Sequence, residues 1–207
     1  MKRLLIIGIL MMPFLIQAQT FTIKSSFALS KWTGDGLDID HENRTGFSFG
    51  LYYGTSLTDN LILNFGSRYI SNGTIQRFSE SLDVFNVSFH DLLVVKTSNL
   101  DIPILAQYML NDRVYLLAGP YASFLLSEET TFTYTECIDS FCTGEKEKLD
   151  FDDVLESNSI GVELGIGAMV RKGLLIEINY LKELSSVIDQ DDPVQNQSLM
   201  FTLGYSF

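Results

Sequence analysis

The chain has 207 residues, of which 46% are hydrophobic and 12% aromatic, and it carries a formal net charge of −12. This length fits one domain of ordinary size. The acidic balance argues against nucleic acid as a partner, because phosphate backbones are bound by basic surfaces. The sequence contains no phosphate-binding Gly-rich loop, no HExxH and no GxSxG, and we predict no cofactor.

Residues 1–18 predict a secretory signal peptide. They begin with two basic residues after Met, continue with a nearly unbroken apolar run from Leu4 to Ile16, and end at Ala18, which suits the last position before cleavage. The apolar run is shorter than the ~20 residues that a membrane-spanning helix needs. The alternative interpretation is an uncleaved N-terminal anchor. With cleavage, the remaining domain spans 19–207, and its membrane location would have to rest on strands.

Apolar and polar residues alternate with period 2 in eight segments after residue 18, which predicts eight strands. In the last segment, Leu199, Phe201 and Leu203 fall on one face, whereas Met200 and Thr202 fall on the other. The fifth segment is apolar on both faces, so its orientation stays open. The predicted strands cover residues 20–31, 45–56, 60–71, 97–109, 113–127, 158–170, 173–185 and 197–207.

The joints between the predicted strands alternate in length. Three joints are short and have tight-turn compositions, whereas four are long. Such alternation is typical of an up-and-down membrane barrel with its long loops outside. We therefore predict an all-β fold, an eight-stranded antiparallel up-and-down transmembrane β-barrel. The short joints lie at 57–60, 110–112 and 171–173, and the long joints at 32–44, 72–96, 128–157 and 186–196.

Ionisable residues fall on the strand face opposite to the apolar one, and Glu183 is among them. A basic residue on the lipid face would cost roughly 2–4 kcal/mol at the midplane, whereas the lumen of an eight-stranded barrel is just wide enough for side chains to fill it. We expect the two basic residues to pair with some of the acidic ones, because buried charges need partners. The alternative is a path for protons or ions. This interior polar cluster comprises Lys24, Arg68, Asp101, Glu163 and Glu177.

Cys137 and Cys142 are the two cysteines of the chain and lie in a polar segment. In an exported chain, an oxidising compartment favours a disulfide that closes a small loop. The alternative is two free thiols. A zinc site is disfavoured, because no neighbouring Cys or His supplies the remaining ligands.

The long joints are rich in carboxylates, above all between residues 128 and 156. Carboxylate clusters can hold Ca²⁺ through oxygen ligands. None of these clusters has the spacing of an EF-hand loop, however, and we assign no metal site. The alternative is a solvated charged surface that divalent ions bridge to lipopolysaccharide.

Ser88 and His90 are two positions apart and would point to the same side of an extended segment. With Asp91 or a loop glutamate they could imitate a nucleophile, a base and an orienting carboxylate. That chemistry needs a defined geometry, which proximity in sequence does not supply. We therefore interpret these residues as a polar patch in a long joint and predict that the protein is not an enzyme.

Three stretches carry a resemblance to a known family: 99–105 with Asp101 before an Ile-Pro pair, 117–121, and the closing strand that ends on the aromatic Phe207. The chain resembles the outer-membrane β-barrel domain family often labelled porin family protein in Bacteroidetes, related in shape to small OmpA- and OmpX-type barrels. The resemblance implies the cell outer membrane, with its lipid and lipopolysaccharide, as the location. It also implies the barrel assembly machinery as a partner, since that machinery reads a terminal aromatic pattern.

The family motifs are specific for fold and say little about activity. Eight strands leave little room for a water-filled pore. We expect a structural or surface-interaction protein whose long acidic extracellular loops carry any extracellular ligand. The alternatives are a lipid-modifying enzyme at the barrel rim, which small barrels that deacylate lipid A exemplify, and a narrow solute channel.

Overall fold

The computed structural model describes residues 19–34, 41–82, 87–138, 141–149, 155–186 and 194–207. The predicted signal peptide, residues 1–18, lies outside these ranges. Within them, no helix is both long and apolar enough to cross a membrane.

Nine antiparallel strands make up almost all of the described chain. Their residues are rich in β-branched and aromatic types, which suit a pleated surface with one face against lipid. They are β1 Gln19–Thr33, β2 His41–Thr58, β3 Leu61–Leu82, β4 Val87–Met109, β5 Val114–Ile138, β6 Phe141–Leu149, β7 Asn158–Arg171, β8 Leu174–Glu183 and β9 Gln195–Ser206.

Eight of these strands close into a ring. Neighbours in sequence pair with one another, β5 passes directly to β7, and the ring closes where β1 pairs with β9 along Thr22 to Thr33. Closure removes the open sheet edges that a membrane cannot solvate. The predicted eight-stranded antiparallel barrel is therefore confirmed.

Along each strand of the ring, side chains alternate between the lipid-facing side and the lumen. Outward residues such as Phe49, Leu164 and Ile178 are about half exposed, whereas their inward neighbours are buried. The orientation of β5, which the sequence left open, is set by Tyr115 and Tyr121, whose rings fill the lumen. Both faces of β5 read as apolar because the inward one is packed with large side chains.

Glycines on β7 make room for these two tyrosine rings. A Cβ added at Gly167 would lie 2.4 Å from the ring of Tyr115, and one added at Gly161 would lie 2.3 Å from that of Tyr121. Both distances are far shorter than a van der Waals contact. Small residues on β7 and large ones on β5 therefore fit together across a narrow lumen.

The chain contains more strand than the sequence pattern predicted. Most of the long joint at 72–96 continues β3 and β4, and much of the joint at 128–157 continues β5 and forms β6. Beyond Phe124, β5 pairs with β6 in place of β7. The continuations of β3, β4 and β5 together with β6 form a four-stranded extension of the barrel wall, which we call the projecting sheet (residues 74–82, 87–97, 128–138 and 141–149).

These segments escaped the sequence analysis for a physical reason. The alternation that marks a membrane strand requires one face in lipid, whereas charged and polar side chains such as Arg77 and Lys96 lie on the outward face of the projecting sheet. Strand pairing here comes from the backbone ladder and from neighbours in space. A sequence window does not contain that information.

The predicted disulfide between Cys137 and Cys142 is present. The two residues lie directly opposite each other on β5 and β6, with their Cα atoms 4.1 Å apart. The bond therefore fixes the register of the hairpin at the tip of the projecting sheet, far from the ring.

Replacing both cysteines, Cys137→Ser with Cys142→Ser, should loosen the β5–β6 hairpin and leave the ring intact. The chain-entropy relation gives a loss of about 2 kcal/mol for so short a loop, confined to the projecting sheet. Backbone hydrogen exchange should become faster in residues 141–149. The temperature at which the barrel unfolds in SDS, seen as a change in its mobility on a gel, should stay the same. An equal loss of protection in β8 and β9 would contradict this localisation.

Candidate functional site

All five residues of the predicted interior polar cluster lie in the lumen, and the structure brings them into two groups. In the first, Lys24 Nζ donates to Glu177 Oε1 at 2.6 Å, and the hydroxyl of Tyr115 donates to the same oxygen at 2.8 Å. The ammonium group also lies 4.5 Å from the centroid of the Tyr52 ring, a cation–π contact. Glu177 thus compensates a cation whose side chain is almost fully buried.

The second group is centred on Arg68, which bridges two carboxylates from different strands. Its guanidinium donates to Asp101 Oδ2 at 2.9 Å and to Glu163 Oε2 at 2.8 Å. Asp101 also accepts a hydrogen bond of 2.7 Å from the hydroxyl of Ser123. Arg68 on β3 pairs directly with Asp101 on β4, whereas Glu163 lies on β7, which pairs with neither strand. The planar guanidinium therefore links parts of the wall that the backbone ladder does not join directly.

Apolar side chains fill the lumen around these groups. One cluster, nearest the short turns, contains Leu105 and Leu117. A second contains Ile70 and Met200. Amide side chains complete the filling, as where Asn64 donates to Gln107 at 3.0 Å. The arrangement holds the wall together and leaves no wide passage among the described side chains.

The projecting sheet separates opposite charges onto its two faces. On β6, Lys146 and Lys148 point outward, in line with the lipid-facing side of the barrel wall, whereas Glu145 and Glu147 point toward the side of the lumen. This follows from the period of 2 in a strand. The sequence predicted an acidic joint here, but it did not predict that the lysines and glutamates would lie on opposite faces of a sheet.

The outward face of the projecting sheet gathers four cations. Lys146 lies in a row with Arg77, and Lys148 lies one row below it, next to Lys96. Lys148 and Lys96 approach Glu129 at 2.9 and 3.8 Å. The hydrogen bond from Lys148 lowers the pKa of Glu129, with smaller contributions from the charge of both lysines. Together with Glu129 and Glu42, these four cations carry a formal charge of +2. We call this surface the cationic face.

The opposite face of the projecting sheet combines aromatic side chains with the glutamates of β6. The rings of Phe89 and Tyr134 pack with centroids 6.1 Å apart, and Phe132 and Leu93 are half-buried beside them. The two faces of the sheet therefore differ in charge, with the cations turned toward the outside of the barrel wall.

The residues considered for catalysis lie on β4 within the projecting sheet. His90 is exposed, and because β4 is extended there, Asp91 projects from the opposite face and cannot orient the imidazole. The side chain of Ser88 lies outside the described residues. Within the described ranges, no three His, Cys, Asp or Glu side chains come together as a metal-binding group.

A model of the outer membrane protein beta-barrel domain family matches residues 17–189. Among solved structures, the chain is similar to Ail, the attachment invasion locus protein of Yersinia pestis, with a TM-score of 0.51 and 14% identity over 93% of this chain and 100% of that one. Ail in complex with the heparin analogue sucrose octasulfate gives a TM-score of 0.50 and 17% identity over 92% and 100%. No curated protein sequence matches the chain significantly.

Replacing Arg68 with Met should destabilise the barrel strongly, because it leaves Asp101 and Glu163 buried without their cation. Breaking a buried ion pair from one side typically costs about 3–5 kcal/mol. Urea unfolding of the protein in lipid vesicles would measure this loss.

Arg77→Met is the matched control, because Arg77 also meets a carboxylate at 2.8 Å, that of Glu42, but with 63% of its side chain exposed. Exposed pairs are worth at most about 1 kcal/mol. Equal losses in the two variants would mean that the pair in the lumen carries no special weight.

Proposed function

This chain belongs to the outer membrane protein beta-barrel domain family, and we propose that it acts at the cell surface as a structural, surface-interaction protein. The family and the fold place it in the outer membrane. Its working part is the projecting sheet with the adjoining acidic loops, and the barrel serves as the anchor. The single observation that supports this most is the projecting sheet, which extends beyond the closed ring and separates cations from glutamates onto its two faces.

The partner nearest to the cationic face is the outer leaflet itself. This face continues the lipid-facing side of the wall just beyond the apolar band, where the phosphate groups of lipopolysaccharide lie. Lys96 and Lys148 border a hollow of about 280 Å³, whose lining also includes Ser98, Ser127, Glu128 and Glu129. The two glutamates offset the two lysines within this hollow, so a phosphate headgroup is favoured by the net positive charge of the cationic face as a whole.

The remaining partners follow from the family. The closing strand, which ends in Tyr205, Ser206 and Phe207, is proposed to bind the barrel assembly machinery during insertion. Residues 1–18 are proposed to direct export and to be removed. An extracellular ligand would bind on the projecting sheet or the loops, and we propose no enzymatic activity.

The lipopolysaccharide proposal predicts a loss of binding when the cationic face is neutralised. In the triple variant Lys96→Gln, Lys146→Gln and Lys148→Gln, we expect loss of roughly 1 kcal/mol per lysine, or about a hundredfold in affinity overall. The measurement is binding of purified barrel in detergent to lipopolysaccharide micelles, at several salt concentrations.

A control with the same charge change, Arg113→Gln, Arg171→Gln and Lys172→Gln, alters only the exposed short turns at the other end and should bind as the wild type does. Equal weakening in both variants would refute a dedicated face. Ail has been crystallised with sucrose octasulfate, and this polyanion is a suitable competitor. Displacement by it would show that the face recognises charge rather than the lipid chains.

Because side chains fill the lumen, we expect the protein to produce no ion conductance across a planar bilayer. Arg68 and the apolar clusters around it occupy the space through which a hydrated solute would pass. Purified protein inserted in the bilayer should give no discrete conductance steps. Regular steps at the single-molecule level would support the narrow channel instead.

A further inference from the structure

A small cavity lies at the outer end of the lumen, beside the Arg68 group, because Ser123 borders the cavity and donates a hydrogen bond to Asp101. Its volume is about 10 Å³, enough for one particle the size of a water molecule. An apolar lid formed by Trp32, Val95, Leu155 and Val194 packs at the same end, and Trp32 and Leu155 border the cavity itself.

Three side chains that line this cavity each carry an oxygen atom without a hydrogen-bond partner among the described residues. These atoms are Glu183 Oε2, Asn196 Oδ1 and Asn99 Oδ1. Their side chains are buried, with 1%, 4% and 7% of the residue surface exposed. All three atoms are acceptors only, and a buried acceptor left without a partner is costly. The cavity therefore calls for a donor or a positive charge.

The charge balance of the lumen points the same way. Among the described residues, the buried acidic and basic side chains are two cations, Lys24 and Arg68, and four carboxylates, those of Asp101, Glu163, Glu177 and Glu183. The cations take up the first three carboxylates. The fourth, Glu183, meets only uncharged hydrogen-bond partners, Ser159 and Asn196. A buried carboxylate without a cation is strongly disfavoured.

We propose that this cavity binds one calcium ion, with Glu183, Asn196 and Asn99 as its side-chain ligands. Carboxylate and amide oxygens are the ligands of this hard cation. The carboxylate of Glu156 borders the same cavity and adds oxygen atoms of the kind that calcium uses. The ion supplies the positive charge that Glu183 lacks and ties β4, β8 and β9 together at the outer mouth.

Sequence reasoning could not find this site. Its oxygen atoms come from three strands that are remote in the chain, and two of the three ligands are amides. Register brings Glu183 and Asn196 opposite each other on β8 and β9, because Lys182 pairs with Gln197 in the preceding row. Only ring closure brings Asn99 of β4 to the same cavity.

Terbium(III) luminescence tests the proposal directly, because Trp32 is the one tryptophan of the chain and borders the cavity. Terbium replaces calcium at oxygen sites and emits when a nearby indole is excited. Purified full-length barrel in detergent, stripped with a chelator, should show tryptophan-sensitised terbium emission that added calcium abolishes. Magnesium should compete poorly, since it requires a tighter octahedral geometry.

Glu183→Gln should weaken binding at least about tenfold, the loss caused even by removing an outer-shell partner. Asn196→Leu provides a second variant in case the first does not fold, with folding checked by the heat-dependent gel shift. Glu129→Gln, an exposed acid on the projecting sheet, is the control and should bind as the wild type does.

The outcomes are distinct. No sensitised emission, or emission that Glu183→Gln leaves unchanged, would overturn the proposal and leave a buried water or a proton on Glu183 as the occupant. These outcomes are independent of the proposed surface function, because the lipopolysaccharide assay uses different residues on the other side of the wall.

Discussion

The buried guanidinium of Arg68 is the interaction on which the barrel's interior depends. A carboxylate or a guanidinium taken out of water alone is heavily penalised, so each must find partners in the lumen. Arg68 meets Asp101 from the neighbouring β4 and Glu163 from β7, which does not pair with β3 or β4. A slip of one residue in any of these strands would turn a charge toward lipid. The charges therefore contribute more to strand register than to net stability.

This requirement shapes the rest of the lumen. Only side chains that pair or pack can occupy so narrow a ring, which explains why tyrosine rings lie against glycines and why amides pair with amides. The result is a lumen whose side chains mostly pair or pack with one another, apart from the cavity at its outer end. Interaction with other molecules is left to the lipid-facing wall, the outer mouth and the projecting sheet.

In the projecting sheet, side chains alternate with the same period of 2, but both faces meet water. Inside the membrane, the alternation separates lipid from lumen. Beyond the membrane it separates charges, so that on β6 Lys146 and Lys148 lie on one face and Glu145 and Glu147 on the other. A chain with a strongly negative total charge thereby presents a cationic surface on the outward face of the projecting sheet. Net charge alone would not have predicted that surface.

The sequence by itself determined the fold class, the strands within the membrane and the inward position of Lys24, Arg68 and the four carboxylates. It could do so because side chains alternate between lipid and lumen within each strand, and a short segment of sequence shows that alternation. It left the partner of each charge, the orientation of β5 and the extent of β3 to β6 undecided. The partner of each charge and the orientation of β5 depend on which strands become neighbours and in which register. The extent of β3 to β6 is hidden because both faces of these strands meet solvent beyond the bilayer, so the apolar alternation is lost. Only the tertiary structure decided that Arg68 bridges Asp101 and Glu163. It also decided that the lysines and glutamates of β6 lie on opposite faces of the projecting sheet, and that Glu183, Asn196 and Asn99 border one cavity. The physical reason is that ring closure and strand pairing bring together residues that no local sequence pattern connects.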